Sequence, residues 1–291
     1  MGGPGLNITV YHKNSEKMSE IDTATIDLVV TSPPYWNIVD YNHPEQLGVG
    51  LTYRHFVLLL EKSLLECMRV VKKDGFIIVI AGDIRAAAER NGKGERPKIY
   101  PLHSDIIQSF RQLDFDFFAH YIWRKMGINK ARGKIVYGSV GTGKNKGLAA
   151  PPFLYSDLLI EHILIFRKPG LRVRIPMEQR LADPGNILLL DDVKKWVDPL
   201  WLFDSPTNPY HPATFPPEMV SRLIKMHSLT GETILDPFMG SGTTLEAALA
   251  LGRHAVGYEI NDNYVDSFRR RHPQLIRVSN QCFRSITGSN R

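Results

Sequence analysis

Short apolar runs that stop at polar or glycine-rich turns recur along the chain. Ile26-Asp27-Leu28-Val29-Val30 stops at Thr31-Ser32-Pro33-Pro34, and Phe76-Ile77-Ile78-Val79-Ile80 stops at Gly82-Asp83. Thr233-Ile234-Leu235 stops at Asp236-Pro237, and His254-Ala255-Val256-Gly257-Tyr258 stops at Glu259. Their length and β-branched content predict buried parallel strands. Between these runs, apolar residues recur at helical spacing. In His55 to Val71 they are Phe56, Leu59, Leu60, Leu64, Met68 and Val71, a single stripe along one helix face. Leu102 to Leu113, Pro217 to Leu229, Leu245 to Leu251 and Asn263 to Arg271 predict further helices in the same way. Strands alternating with helices predict an α/β fold built on a doubly wound, mostly parallel sheet.

Two segments break the alternation. Phe117 to Trp123 and Ile160 to Phe166 read as a strand pair with no good helix between them, joined by the Gly- and Lys-rich stretch Lys125 to Pro152. A connection that long is a functional loop or a disordered one. Arg172 to Pro212 carries Pro176, Pro184, Pro199, Pro206 and Pro209, which limit regular structure and predict an irregular insertion. Its aromatics Trp196, Trp201 and Phe203 read as packing residues.

The chain has 291 residues, 43% hydrophobic and 23% charged, a globular balance that excludes a disordered or fibrous protein. Two cysteines, Cys67 and Cys282, build neither a disulfide framework nor a metal cluster, so a reducing cytoplasm is expected. No apolar run reaches the roughly 18 residues of a membrane span, and Met1 to Gly5 lacks the apolar core of a signal peptide. His12, His103 and His120 have no partner at metal-ligand spacing, so no metal is expected.

Charge changes the picture more. The net charge is +6, but Arg124 to Arg180 alone holds twelve basic and three acidic residues, a local +9. Clustered Lys and Arg on a near-neutral body suit a polyanion, because phosphates release counterions to them. A merely solvated basic surface is the plainer alternative.

Two motifs carry chemistry. Asp236-Pro237-Phe238-Met239-Gly240-Ser241-Gly242-Thr243-Thr244 reads as strand, tight turn and helix start. Gly240 and Gly242 allow close backbone approach, and a new helix directs free N–H groups at a ligand. Glu259 follows at the end of the next strand, where a carboxylate binds ribose hydroxyls in nucleoside-cofactor folds. The lysine of a phosphate-binding loop is missing after Gly242, which disfavours a nucleoside triphosphate. The second motif is Thr31-Ser32-Pro33-Pro34-Tyr35-Trp36. Its prolines stiffen a turn at the edge where α/β folds bind ligands. The Ser32 hydroxyl, the Pro33 carbonyl and the Tyr35 ring together suit an amino group on a planar base. A structural Pro-Pro turn with a core aromatic is the alternative.

The two motifs in this order resemble the β group of amino-group DNA methyltransferases, which use S-adenosylmethionine. His211-Pro212-Ala213-Thr214-Phe215-Pro216, Tyr121-Ile122-Trp123-Arg124-Lys125 and Glu161-His162-Ile163-Leu164-Ile165-Phe166 extend the likeness over most of the chain. The resemblance implies a seven-stranded Rossmann-like sheet with an antiparallel strand pair. The catalytic domain is expected in residues 1–171 and 210–291, and 172–209, the part that the likeness covers least, is expected to be a small target-recognition insertion. It implies that Ser32, Pro33 and Tyr35 grip a flipped base, with Pro34 shaping the turn. Asp236, Pro237, Phe238, Gly240, Ser241, Gly242 and Thr243 would line the cofactor pocket, and Glu259 would hold the ribose. Where the family often has Asp beside the adenine, Tyr11-His12-Lys13-Asn14-Ser15 puts Asn14.

Ser-Pro-Pro-Tyr is the usual form for cytosine N4, so Ser32 points to N4-methylcytosine. Adenine N6 methylation, an RNA methyltransferase and a non-catalytic nucleic-acid-binding module remain as alternatives. Methylation at cytosine C5 needs a nucleophilic cysteine, and Cys67 reads as buried core. Trp36 would help Tyr35 stack on the base. Arg124, Lys125, Lys130, Arg132, Lys134, Lys144 and Lys146 would contact phosphates of double-stranded DNA. The resemblance leaves open a cognate restriction endonuclease and a homodimer as partners, and gives no membrane role.

Overall fold

A computed structural model describes residues 5–41, 43–86, 98–126, 158–172, 175–204, 206, 215–273 and 276–277. In chain order the elements are β1 (Ile8–His12), β2 (Ile26–Thr31), α1 (Tyr53–Val70), β3 (Val71–Ala81), β4 (Ile84–Ala86), β5 (Lys98–Tyr100), α2 (Leu102–Gln112), β6 (Asp116–Met126) and β7 (Ile160–Arg167). There follow α3 (Met177–Leu181), α4 (Leu190–Trp196), β8 (Leu200–Asp204), α5 (Pro217–His227), β9 (Thr233–Asp236), α6 (Thr243–Ala250), β10 (His254–Glu259), α7 (Asp262–Arg271) and β11 (Ile276–Arg277). Each run predicted as a strand is one, and each helical stripe is a helix within two residues of its predicted ends.

Nine strands form one sheet in the order β11-β1-β10-β9-β2-β3-β7-β6-β8. All pair in parallel except β7, which runs antiparallel to both β3 and β6. The expected seven-stranded sheet is its middle, and β11 and β8 extend it at either end. Alternation along the central strands explains why both faces are covered. Ile77, Val79, Leu164 and Phe166 point into one core, with Phe56, Leu60 and Leu64 of α1 and Ile106 and Phe110 of α2. Ile78, Ile80, Ile163 and Ile165 point into the other, with Val220, Leu223 and Ile224 of α5 and Phe268 of α7. A strand buried on both sides reads as an unbroken apolar run, which is why these strands were predictable.

The segment 172–209 departs from the expected irregular insertion. Three of its prolines stand at the starts of elements: Pro176 precedes α3, Pro184 opens a 3-10 turn and Pro199 precedes β8. β8 pairs in parallel with β6 from Leu200 opposite Ile122 to Asp204 opposite Met126. Trp201 is buried, and the Arg222 guanidinium of α5 sits over Trp196, Trp201 and Phe203 at 5.9, 5.6 and 4.7 Å. These aromatics are therefore packing residues, as expected. The first half of the segment lies at the amino edge of the sheet. Arg172 bonds Asp27 and Glu232 there, and Asn186 accepts from the Thr230 N–H at 2.7 Å. That is the edge opposite the turn that follows β2, so this half is remote from Ser32.

Candidate active site

β2 and β9 are neighbours, and both motifs leave the sheet at their carboxyl ends. One buried hydrogen bond fastens the two turns together: the Thr31 hydroxyl donates to Asp236 Oδ1 at 2.8 Å. The same oxygen accepts from the Phe238 N–H at 3.1 Å. Asp236 thus lies beneath the glycine-rich turn and does not face the cavity, a correction to its expected cofactor contact. Burial without a cationic partner pushes its carboxyl up to about 6.

Gly242 is corrected in the same way. Its φ of +93° and a Cβ position only 2.3 Å from the Phe268 ring show a residue kept small for helix packing. Gly240, with φ +51°, carries the close approach to the cavity instead.

The cleft above the two turns encloses about 1040 Å³ of space, its open mouth included. Ser32, Pro33, Pro34 and Tyr35 form one wall, and Pro237, Phe238, Gly240, Ser241 and Thr243 form another. Asn14 and Glu259 border the same space. Asn14 Oδ1 accepts from the Glu16 N–H, leaving its amide nitrogen as a donor. Glu259 accepts the Gly240 N–H on one oxygen and the Asn261 N–H on the other, each at 2.8 Å. The Ile260 N–H is a further backbone partner, and burial raises the carboxyl above its ordinary range. Among the described residues neither Asp236 nor Glu259 forms an ion pair.

Trp36 also departs from its expected role. It is 3% exposed, donates its indole N–H to the Leu51 carbonyl at 2.9 Å, and packs edge-on to Tyr53 and Tyr100. A ring so enclosed anchors the turn and cannot stack on a base. Lys125 is a further correction: its ammonium pairs with the buried carboxylate of Glu161 rather than facing solvent. Arg124 is exposed near the end of β6, as a phosphate contact requires. Lys130, Arg132, Lys134, Lys144, Lys146, Cys282 and 211–214 lie outside the described residues. Cys67 is buried, and burial pushes its thiol well above the usual range.

The sequence reading missed several cavity residues, among them Tyr41, Ile260 and Tyr264. It also missed a cluster in which Asp83 meets His103 at 2.6 Å and His162 meets His120 at 3.0 Å. The His103 and His162 rings stack with centroids 3.8 Å apart and planes 8° from parallel. Asp83, His103 and His162 each offer one potential ligand atom, all within 4.8 Å of one another, a grouping the spacing of the histidines in the sequence did not reveal. Burial holds His162 down to about 4, so its ring is neutral.

The donor set fits S-adenosylmethionine. Spare lone-pair capacity on Glu259 suits ribose hydroxyls, Phe238 and Ile260 offer apolar flanks to a purine, and the buried Glu259 carboxylate, without an ion pair among the described residues, suits a cationic ligand.

The chain is similar to known proteins. The DNA methylase model of N6 and N4 methyltransferases matches residues 26–270. The Type II methyltransferase M.MthZI of Methanothermobacter thermautotrophicus is 30% identical over 94% of this chain and 78% of its own length. M.MjaI of Methanocaldococcus jannaschii, another Type II methyltransferase, is 30% identical over 88% and 89%. Among solved structures, the Thermus thermophilus protein TTHA0409, described as a DNA modification methylase, was solved with S-adenosyl-L-methionine. It matches with a TM-score of 0.66 at 30% identity, over 94% of this chain and 99% of its own. The chain belongs to the N6/N4 DNA methylase family, whose members methylate DNA from S-adenosylmethionine.

Proposed function

We propose that the acceptor is the exocyclic N4 amine of a cytosine flipped out of double-stranded DNA. The observation that carries this is Ser32 in the catalytic turn, its side chain on the cavity wall beside Pro33 and Tyr35. The amine of cytosine is a poor nucleophile because its lone pair is delocalised into the ring. The Ser32 hydroxyl oxygen and the Pro33 carbonyl accept its two hydrogens. They favour the pyramidal nitrogen and growing positive charge of the transition state, an electrostatic preorganisation. Tyr35 offers its ring to the base, and such stacking is worth about 1–3 kcal/mol.

Glu259 and Asn14 hold the cofactor's ribose and adenine, and the Gly240 turn allows its close approach. When bound, S-adenosylmethionine supplies an electrophilic sulfonium methyl group. The two walls bring that carbon and the amine together, and proximity supplies much of the rate.

A base inside a duplex cannot enter this cleft, so it must flip. β6 ends and β7 begins at the cleft's edge, and β8 ends beside them. The segment that joins β6 to β7, 127–157, and the segment that follows β8, 205–214, are the proposed DNA-contacting parts, with Arg124 at the end of β6. A cognate restriction endonuclease is a proposed genetic partner, in line with the Type II names of M.MthZI and M.MjaI.

The test is incubation with mixed-sequence DNA and labelled S-adenosylmethionine, then digestion to nucleosides and mass spectrometry. N4-methylcytosine is expected. N6-methyladenine instead would overturn the base assignment while leaving the fold and cofactor intact.

A further inference from the structure

Asn261 is buried between β10 and α7, two residues after Glu259. Three of its polar groups reach three parts of the cleft. Its backbone N–H donates to Glu259 Oε1 at 2.8 Å. Its side-chain Oδ1 accepts the Asn263 N–H at 2.9 Å and so caps α7. Its Nδ2 donates to the Tyr41 carbonyl at 2.6 Å, across 220 positions of the chain. Chemistry fixes which way this amide points, because a backbone N–H only donates and a carbonyl only accepts.

Tyr41 lies in the segment that runs from the Ser32-to-Trp36 turn to α1. The segment is braced within itself. Buried Gln46 accepts the Tyr41 N–H on Oε1 at 2.7 Å and donates from Nε2 to the Val39 carbonyl at 3.2 Å. The Trp36 indole, bonded to the Leu51 carbonyl, joins its two ends. Tyr41, His43, Gln46 and Leu47 border the same cleft as Ser32 and Glu259. Asn261 thus fastens a braced loop, continuous with the catalytic turn, to the wall that carries Glu259. We propose that Asn261 is a positioning residue that sets the catalytic turn and its loop against the cofactor wall, so that base and methyl donor meet in one geometry. An error in such alignment lowers the rate of transfer without removing the binding of either reactant. The inference holds for a cytosine or an adenine acceptor and rests on the proposed ribose contact of Glu259.

Asn261→Ser separates the tie from the cap. Serine caps a helix about as well as asparagine, is neutral, and ends one atom short of the amide nitrogen. The bond from the backbone N–H to Glu259 is kept, and the bond to Tyr41 is lost. The expected result is a kcat for DNA methylation lowered roughly tenfold. S-adenosylmethionine affinity by calorimetry and the urea unfolding midpoint should stay unchanged. Amide exchange read by mass spectrometry should quicken in peptides from 37–47 and not in those from α7. Asn261→Asp also caps and also lacks the donor, so its kcat should fall at least as far.

Wild-type kcat in either variant would overturn the inference, as would unchanged exchange in 37–47. A fall in unfolding midpoint or in cofactor affinity that accounts for the lost activity would overturn it too, because Asn261 would then be only a helix cap or a piece of the cofactor wall. Glu259→Ala tests the underlying ribose contact separately. Its cofactor affinity should fall roughly tenfold, and wild-type affinity would remove the cofactor placement and this inference with it. Failure of the Asn261 variants beside a weakened Glu259→Ala sinks the inference alone.

Discussion

The two ends of one sheet treat buried carboxylates in opposite ways. At the amino end, Asp27 of β2 accepts from Lys72 and Arg172 at 2.7 Å each and from the Thr233 N–H at 3.0 Å. Arg172 also reaches Glu232 at 2.6 Å. At the carboxyl end, Asp236 and Glu259 receive only hydroxyl and backbone N–H donors. Charge is cancelled where the fold is merely held together. It is left uncancelled at the edge that carries the cleft, where Glu259 borders the cavity and gains from a cation beside it while Asp236 lies in the layer beneath. The difference divides the molecule into an end whose changes cost stability and an end whose changes cost activity.

The largest expected effect lies at the carboxyl end. Ser32→Ala removes an acceptor that works only as charge grows on the amine, so kcat should fall by roughly 100- to 1000-fold. Steady-state methylation kinetics and urea unfolding of the same preparation check this. An unfolding midpoint that drops along with kcat would show that the turn is structural and would collapse the division between the two ends.

Asp236 gives a smaller effect with a pH signature. Its folded carboxyl sits at about 6 against an ordinary 3.8. Because the folded value is raised, the group's contribution to stability is fully present below about pH 4 and is lost as pH rises through about 6. The loss amounts to roughly 3 kcal/mol. Asp236→Asn keeps a carbonyl acceptor for Thr31 and Phe238 but does not ionise. Its unfolding free energy relative to wild type should therefore rise between pH 4.5 and pH 7. A difference independent of pH would mean that Asp236 ionises normally in the folded protein.

Much of this arrangement was legible in the sequence, for reasons that differ by element. β2, β3, β7 and β10 are buried on both faces, so their apolar runs stood out. β8 was hidden because Leu200 and Leu202 point outward while Trp201 points in, and prolines surround it. The two turns were legible as motifs, and most of their residues do line the cleft. Which side of a turn a residue faces was not legible: Asp236 and Gly242 belong to the motif yet serve the layer beneath it. Trp36 looked like an exposed aromatic because nothing in Tyr35-Trp36 tells which ring the core claims. Glu161 and Lys125 lie in segments that carried the family likeness, but nothing in the sequence paired them with each other. They meet only because β6 and β7 pair with Lys125 and Glu161 at neighbouring positions, and only the folded sheet brings them to Tyr35.

The smallest effect sharpens the comparison from the amino end. Arg172→Met removes the cation shared by Asp27 and Glu232 while keeping most of the aliphatic stem. Losing one member of a buried ion network usually costs about 3–5 kcal/mol. Here Lys72 still pairs with Asp27, and Glu232 still accepts from the Leu229 N–H at 2.7 Å. Arg172 is also a third exposed, so solvent already screens part of its charge. A cost of about 1–2 kcal/mol in urea unfolding is expected, with kcat and cofactor affinity unchanged. Adding Lys72→Met strips Asp27 of its second cation, so the double variant should lose more than the two single changes sum to. Strict additivity would show that the two cations act separately, and a fall in kcat would show that the amino end reaches the cleft through β2.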